Sequence, residues 1–319
     1  MKKNHGLHIY GPVPSRRLGY SLGVDILHFK TCSLDCIYCQ LGTTERKTVR
    51  RNTFLDAESI LSQIKNVVAS GQRIDYITFS GSGEPALNMS IGKLIEEIKK
   101  TTSIPVAILT NSTLLSRKSV RRAFSRADLV IPSLDAATQE IFDRINRPHP
   151  SLKIRQIIAG LVEFRRESTG KIWLEVLLVK GVNDSPSHLK KLKKAIAEIN
   201  PDKIQLNTVV RPPAEKSAHP LSLQELEQIR RIFGKKAEVV AEFDKIQHMP
   251  AYHNLKDTIL AMVARRPVTL SDMSKSLGKH KNELIKYCDF LLKEGKIRLV
   301  LHEGKKFYEI QKKKNEQSP

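Results

Sequence analysis

Between residues 20 and 235, short aliphatic runs and amphipathic stretches take turns, and this alternation constrains the fold more than any other feature of the chain. Six runs read as strands: "SLGVDIL" (21–27), "IDYITFSG" (74–81), "IPVAILTN" (104–111), "DLVIPSLD" (128–135), "KIWLEVLLVKG" (171–181) and "DKIQLNTVV" (202–210). Helical patterns fill 55–70, 90–101, 116–124, the stretch up to Glu167, 186–199 and a segment near 222–234. Near-continuous apolar strands joined by helices predict a parallel sheet covered by helices. Six units are too few for an eight-fold closed barrel. The expected class is therefore α/β, a partial (β/α)6 TIM-like barrel, with a doubly wound sheet as the alternative. In either, ligand-binding residues belong at the C-terminal ends of the strands.

After about residue 250 the rhythm changes. "LKDTILAMVARRP" reads as a helix stopped by Pro267, and "TLSDMSKSLG" as a short helix capped by Thr269 or Ser271 and ended by Gly278. "KNELIKYCDFLLKEGKI" reads as a longer helix ending at Gly295, and "RLVLHEGKKFYEI" as a hairpin turning at Glu303-Gly304. Three helices followed by a hairpin is the pattern of a winged helix-turn-helix. The expected organisation is thus a core over 1–250, a small winged-helix domain over 251–310 and a disordered tail over 311–319. No run reaches 18 uncharged apolar residues, and the N-terminal stretch lacks the apolar core of a secretory signal. A cytoplasmic protein with no membrane span is the expectation.

Three of the four cysteines, Cys32, Cys36 and Cys39, lie in "TCSLDCIYCQ" (31–40) with C-x3-C-x2-C spacing. In a chain of 319 residues this is no disulfide scaffold; clustered thiols point to a metal or redox centre. A structural zinc site wants four closed ligands. A cubane iron–sulfur cluster normally takes four thiolates. Only three are local here. Cys288 falls on an apolar helical face, where a lone cysteine is more often a core residue. His8 and His28 are conceivable fourth ligands. A truly vacant fourth position would leave one iron open to a small molecule.

The spacing, with aromatic Tyr38 just before Cys39 and a position just after the first strand, resembles the signature of the radical S-adenosylmethionine (SAM) superfamily. The resemblance implies a [4Fe-4S] cluster on Cys32, Cys36 and Cys39, whose open iron chelates the amino and carboxylate groups of SAM. One electron, from a donor such as flavodoxin or ferredoxin, then cleaves SAM and releases a 5′-deoxyadenosyl radical. The cofactors carry that chemistry, and the protein orients and shields them. Tyr38 would contact adenine. "FSGSGEPAL" (79–87) resembles the superfamily's glycine-glycine-glutamate motif, which assigns Gly81, Ser82, Gly83 and Glu84 to the methionyl amino group. Polar residues at later strand ends, Asn111, Ser133 and Asp135, are expected at the cavity by the resemblance, and Val182, Asn183, Leu206 and Asn207 at the ends of the last two strands are expected toward adenine. Ser15, Arg16 and Arg17 in "YGPVPSRRLGYSLGVDI" and Arg211 in "RPPAE" are candidates for SAM or substrate, since arginine suits bidentate contact with phosphate or carboxylate. Together with "SLDAATQEIFDRINRPH", these stretches resemble, over about residues 8 to 235, a branch that includes the tRNA wyosine-forming enzymes. Those enzymes carry a second cluster on extra N-terminal cysteines. This chain has none before Cys32, which argues against wyosine formation itself.

Charge bears on the substrate. Fifty-four Lys and Arg against 33 Asp and Glu give a net charge of +21. That excess favours a polyanion, nucleic acid being the commonest; a solvated lysine-rich surface and an anionic membrane are the other readings. In a winged helix the third helix and the hairpin meet nucleic acid, here through His280, Lys281, Asn282 and Lys286, with Lys305 and Lys306 on phosphate. The leading expectation is a radical SAM enzyme acting on RNA, most plausibly tRNA. The alternatives are the same chemistry on a protein or peptide gripped by the winged helix, and a DNA-binding regulator that senses through its cluster.

Overall fold

The computed structural model describes residues 8–15, 17–240, 255–279 and 281–311. The chain divides into two compact units, Met1–Lys245 and Ile246–Pro319.

In the first unit the strands are β1 (Ile9–Ser15), β2 (Gly19–Val24), β3 (Thr31–Cys32), β4 (Arg46–Lys47), β5 (Tyr76–Phe79), β6 (Val106–Thr110), β7 (Leu129–Pro132), β8 (Lys171–Leu178), β9 (Lys203–Thr208) and β10 (Ala237–Val239). The helices are α1 (Ala57–Ala69), α2 (Ile91–Thr101), α3 (Lys118–Phe124), α4 (Gln139–Asn146), α5 (Ile154–Glu167), α6 (Pro186–Ile199) and α7 (Leu223–Phe233). Eight strands form one sheet in the order β1-β2-β5-β6-β7-β8-β9-β10. All neighbours are parallel except β1, which runs antiparallel to β2. Among the described residues no pairing joins β10 back to β1, so this is the open, partial TIM-like barrel the alternation predicts. The six expected strands are all present. β1 and β10 add two more at the edges. β1 carries the prolines of "YGPVPS", and an edge strand tolerates the missing N–H groups.

The strands alternate more strictly than "near-continuous apolar" suggests. Leu22, Val24, Ile77, Phe79, Ile108, Val130, Leu174, Val176 and Leu206 are fully buried in one apolar core with residues of the covering helices. The residues between them face the concave side. Its floor is apolar: Leu18, from the β1–β2 turn, packs with Ala107, Leu129 and Ile131. Above it lies a register row of polar groups, for Ser133 bridges Glu175 and Glu175 pairs with Gln205. Helix starts are fixed locally. Asp56, Thr138 and Ser185 cap α1, α4 and α6, and Ser222 with Glu225 forms a capping box on α7.

The second unit contains α8 (Leu255–Arg265), β11 (Val268–Thr269), α9 (Leu270–Leu277), α10 (Lys281–Lys293), β12 (Ile297–His302) and β13 (Lys305–Ile310). β11, β13 and β12 form a three-stranded antiparallel sheet in that order. β11 is an addition to the sequence reading. Thr269 caps α9 in a capping box with Asp272, and Gly278 ends the helix at φ 68°. The hairpin turns at Glu303 and Gly304, with φ 47° and 70°. Cys288 is fully buried in this unit's core, its Sγ 3.6 Å from Met273 Sδ, so it acts there as a small apolar residue. The expected tail beyond Gln311 lies outside the described residues.

Candidate functional site

The three clustered cysteines sit on a loop whose backbone is tied down on every side. Thr31 and Cys32 form β3 and pair in parallel with Arg46 and Lys47 of β4. The Asp35 and Ile37 N–H groups donate to the carbonyls of Asn146 and Ile145 at the end of α4, at 2.9 and 3.0 Å. Tight turns follow, from Cys39 N–H to Cys36 O and from Gly42 N–H to Cys39 O, each 3.0 Å. The Thr44 N–H donates to Asp35 Oδ1, and the Glu215 N–H to Ile37 O.

Each sulfur receives a side-chain donor. Asn111 Nδ2 lies 3.4 Å from Cys32 Sγ, Asn146 Nδ2 3.3 Å from Cys36 Sγ, and Lys30 Nζ 3.2 Å from Cys39 Sγ. Donors aimed at sulfur suit a thiolate rather than a thiol, the form that ligates iron. In the metal-free protein, burial and then the Glu84 carboxylate push the Cys32 thiol up to about 12, and burial, with Cys32 beside it, pushes Cys36 well above its ordinary value. Iron must therefore displace protons when it binds. Three cysteines on one loop, each sulfur met by a side-chain donor, form a donor set that fits a [4Fe-4S] cluster.

The turn after β5 lies directly beside this loop. Thr31 bridges Gly83, and the Glu84 N–H donates to Thr31 O at 3.1 Å. A Cβ on Gly83 would come 1.9 Å from that oxygen, so only glycine allows the approach. The turn is held from beneath by Asp25, whose Oδ2 accepts from the Ser82 N–H at 3.0 Å and from Ser82 Oγ. Glu84 has its carboxylate engaged within the chain. It is 2% exposed, and its oxygens accept from Thr110 Oγ1 (2.6 Å), Ala86 N (2.9 Å) and Asn111 N (2.6 Å). Its carboxylate ties the turn to the end of β6 rather than standing open for an ammonium. Burial holds its pKa up to about 7.

Tyr38, Asn111, Ser133, Asp135, Phe142 and Asn146 line a small cavity behind the cysteine loop. Asp135 organises it. Its Oδ2 accepts from Tyr38 Oη and from Asn146 Nδ2 (2.9 Å), and its Oδ1 from the Leu177 N–H (2.9 Å). Burial lifts its pKa to about 6. The Tyr38 hydroxyl is therefore already engaged.

Other expected residues fall elsewhere. Leu206 lies on the helix-covered face, one residue out of phase with the concave side, and cannot line a cofactor pocket. Asn183 is fully buried, donating to Asp135 O and Leu177 O and accepting from the Val179 N–H, so it closes a turn instead of meeting adenine. Val182 packs half-buried against the core. Asn207 does face inward, donating to Glu175 Oε1 at 2.9 Å. Arg17 enters the concave side with Leu18 and forms a bidentate pair with Glu175 at 2.8 and 3.0 Å, with Gln205 Oε1 at 3.3 Å. Ser15 Oγ accepts from the Arg17 N–H, and Arg211 is buried. Arg16 and His280 lie outside the described residues. Lys281, Asn282 and Lys286 are exposed on α10, as are Lys305 and Lys306 on the hairpin. His28 is exposed and edge-on to Phe54.

Sequence reasoning missed Asp25, Lys30, Asn146 and Glu175. Asp25 carried a signal, a lone carboxylate at the end of an apolar strand. Asn146 and Glu175 have partners distant in sequence that only the fold reveals, and Lys30, nine residues from Cys39, has no spacing that marks a donor to sulfur.

Residues 26–192 match the model of the radical SAM superfamily. The chain is 33% identical over 306 residues to a UPF0026 protein of Methanocaldococcus jannaschii, covering 94% of each. It is 36% identical over 305 residues to a protein of Brachyspira hyodysenteriae named GTPase Obg, covering 95% of this chain but only 45% of that one, so it spans under half of that relative's length. A probable dual-specificity RNA methyltransferase RlmN of Pseudothermotoga lettingae is 32% identical over 173 residues, 52% of this chain and 48% of that one. Among solved structures, a radical SAM methyltransferase from Sphaerobacter thermophilus superposes with a TM-score of 0.51 at 17% identity, covering 69% of this chain and 66% of that one, a likeness of fold alone.

Proposed function

The chain belongs to the radical SAM superfamily and to its UPF0026 group, and from that premise we propose that it modifies RNA, with tRNA as the substrate. It is a radical SAM enzyme that uses a [4Fe-4S] cluster and SAM. When bound, these supply one-electron cleavage of SAM and a 5′-deoxyadenosyl radical that takes hydrogen from the substrate. The protein's part is to hold and shield. Cys32, Cys36 and Cys39 present the thiolates, and the Gly81–Glu84 turn offers backbone groups to the methionyl end. Ser133 and Asn111 border the cavity. A reductant such as flavodoxin or ferredoxin delivers the electron. Among the described residues no helix is long and apolar enough to cross a membrane.

One observation carries the RNA reading: a basic strand is joined to the ligating strand. Arg46 and Lys47 pair with Thr31 and Cys32; both are exposed, as is Arg50, and none has a carboxylate at ion-pair distance among the described residues. Arg51, beside Arg50, is locked onto the Ala86 and Asn88 carbonyls. Such an unneutralised strip seats a phosphate backbone at the reactive centre. The likeness to an RNA methyltransferase supports the same reading. Anaerobic tRNA binding, followed by anisotropy across a salt series, tests it. Arg46→Ala/Arg50→Ala should weaken binding and reduce the log–log salt slope by about 1.4–1.8. Cells lacking the gene should lose one modified nucleoside. An unchanged modification profile together with no tRNA binding by the wild type refutes it.

A polypeptide substrate is the second reading, favoured by Ile285 and Phe290 on α10 and Leu299 and Leu301 on β12, which are 41–67% exposed. Retention of one polypeptide by residues 255–311, with no RNA retained at moderate salt, would select it.

A further inference from the structure

Lys30 stands two residues before the first ligating cysteine and is only 3% exposed. A buried ammonium is unfavourable unless an opposite charge and hydrogen-bond acceptors meet it. Among the described residues no carboxylate lies at ion-pair distance from it. Its Nζ instead donates to Cys39 Sγ at 3.2 Å. The backbone is shaped for this contact. Lys30 adopts the left-handed conformation, φ 52°, uncommon for a residue with a long side chain, and its carbonyl accepts from the Arg46 N–H at 3.1 Å. The other two sulfurs receive neutral amides, from Asn111 and Asn146. The charge is therefore placed on one corner of the ligand set.

We propose that Lys30 is a fixed positive charge that sets the reduction potential of the cluster held by Cys32, Cys36 and Cys39. The inference rests on the assignment of those three thiolates as the cluster's ligands. Three thiolates on a [4Fe-4S]2+ core leave one net negative charge. Taking up the electron that starts the reaction makes it two. A cation hydrogen-bonded to a ligating sulfur interacts more strongly with the doubly charged state, so it favours reduction. The superfamily's chemistry begins with that reduction, so the lysine makes the first electron easier to deliver. Asn111 and Asn146 donate without a net charge and orient Cys32 and Cys36.

The test is an EPR-monitored redox titration of protein reconstituted anaerobically with iron and sulfide. Lys30→Met keeps the bulk and removes the charge. Its reduction equilibrium should fall at least tenfold, a shift of 59 mV to more negative potential for a one-electron couple. Lys30→Arg keeps the charge and should stay within twofold of the wild type. Lys30→Gln keeps a donor without charge and should follow the Met variant. If Gln or Met titrates with the wild type, charge at this position does not set the potential and the proposal is overturned. Cys39→Ala separates the two levels of the argument. Should it retain the full iron content, the ligand assignment fails instead, whatever the Lys30 series shows.

Discussion

Replacing Gly83 by alanine is the sharpest probe of how the cofactor turn meets the cysteine loop. Gly83 is not in the left-handed region; what forbids a side chain is space. The new Cβ would lie 1.9 Å from Thr31 O and 2.8 Å from its carbonyl carbon, where ordinary contact begins at 3.4 Å. Both obstacles are backbone, so relief requires about 1.5 Å of movement between the turn and β3. That movement breaks the 3.1 Å bond from the Glu84 N–H and shifts Cys32, the next residue. Overpacking costs about 1–3 kcal/mol and the lost hydrogen bond about 1 more, so about 3 kcal/mol is a fair sum. For a unit of this size that corresponds to a fall in Tm of about 6–12 °C. Gly181→Ala is the matched control. Gly181 has φ 71° but nothing within 4 Å of its Cβ, so only backbone strain of about 1–2 kcal/mol applies. Anaerobic thermal unfolding and iron quantification of both variants read the difference. Gly83→Ala should lose both stability and iron, and Gly181→Ala a little stability alone. Full iron content and a Tm within 2 °C of the wild type for Gly83→Ala would refute the reasoning.

Asn183→Ala leaves two carbonyls and one N–H without their present partner in a buried turn, and should cost about 3 kcal/mol in urea unfolding with unchanged SAM affinity in the folded fraction; reduced affinity at full stability would instead restore the adenine-contact role. In the metal-free protein Glu84 and Asp135 are held up to about 7 and about 6 by burial, so the folded state binds their protons more tightly than the unfolded chain. Their contribution is present at low pH and is lost as pH rises from about 4 through about 7, on the order of 3 kcal/mol each. His188 acts in the opposite sense, since burial lowers its pKa, and its contribution is lost as pH falls below the ordinary histidine range. Between pH 5.5 and 7 the carboxylates dominate, so urea stability should fall as pH rises; Glu84→Gln should flatten the slope, and an equal slope in both proteins would contradict it.

The barrel was legible because periodicity and strand length are local properties. The gathering of three thiols on one loop was legible because it too is local in sequence. Legibility stopped where a role depends on phase or on a distant partner. Leu206 and Asn207 are adjacent, yet only the register with Glu175 shows which faces inward. The turn that holds Glu84 was visible in the sequence, but its carboxylate is taken up by Thr110 and Asn111 at the end of β6, 26 and 27 residues on. Arg17 read as an arginine at the mouth because its partner Glu175 is 158 residues away. Lys30 and Asn146 gave no signal, since a donor to sulfur has no characteristic spacing.

Many of the ties that fix the cysteine loop run from backbone to backbone, toward α4, β4 and Ile37's partner at Glu215, beside the donors that meet its sulfurs. In a zinc finger the ion is the scaffold's own fastener, and folding waits for it. Here the loop also has fasteners of its own: hydrogen bonds to two neighbouring elements and to a distant segment help to set where the three sulfurs stand.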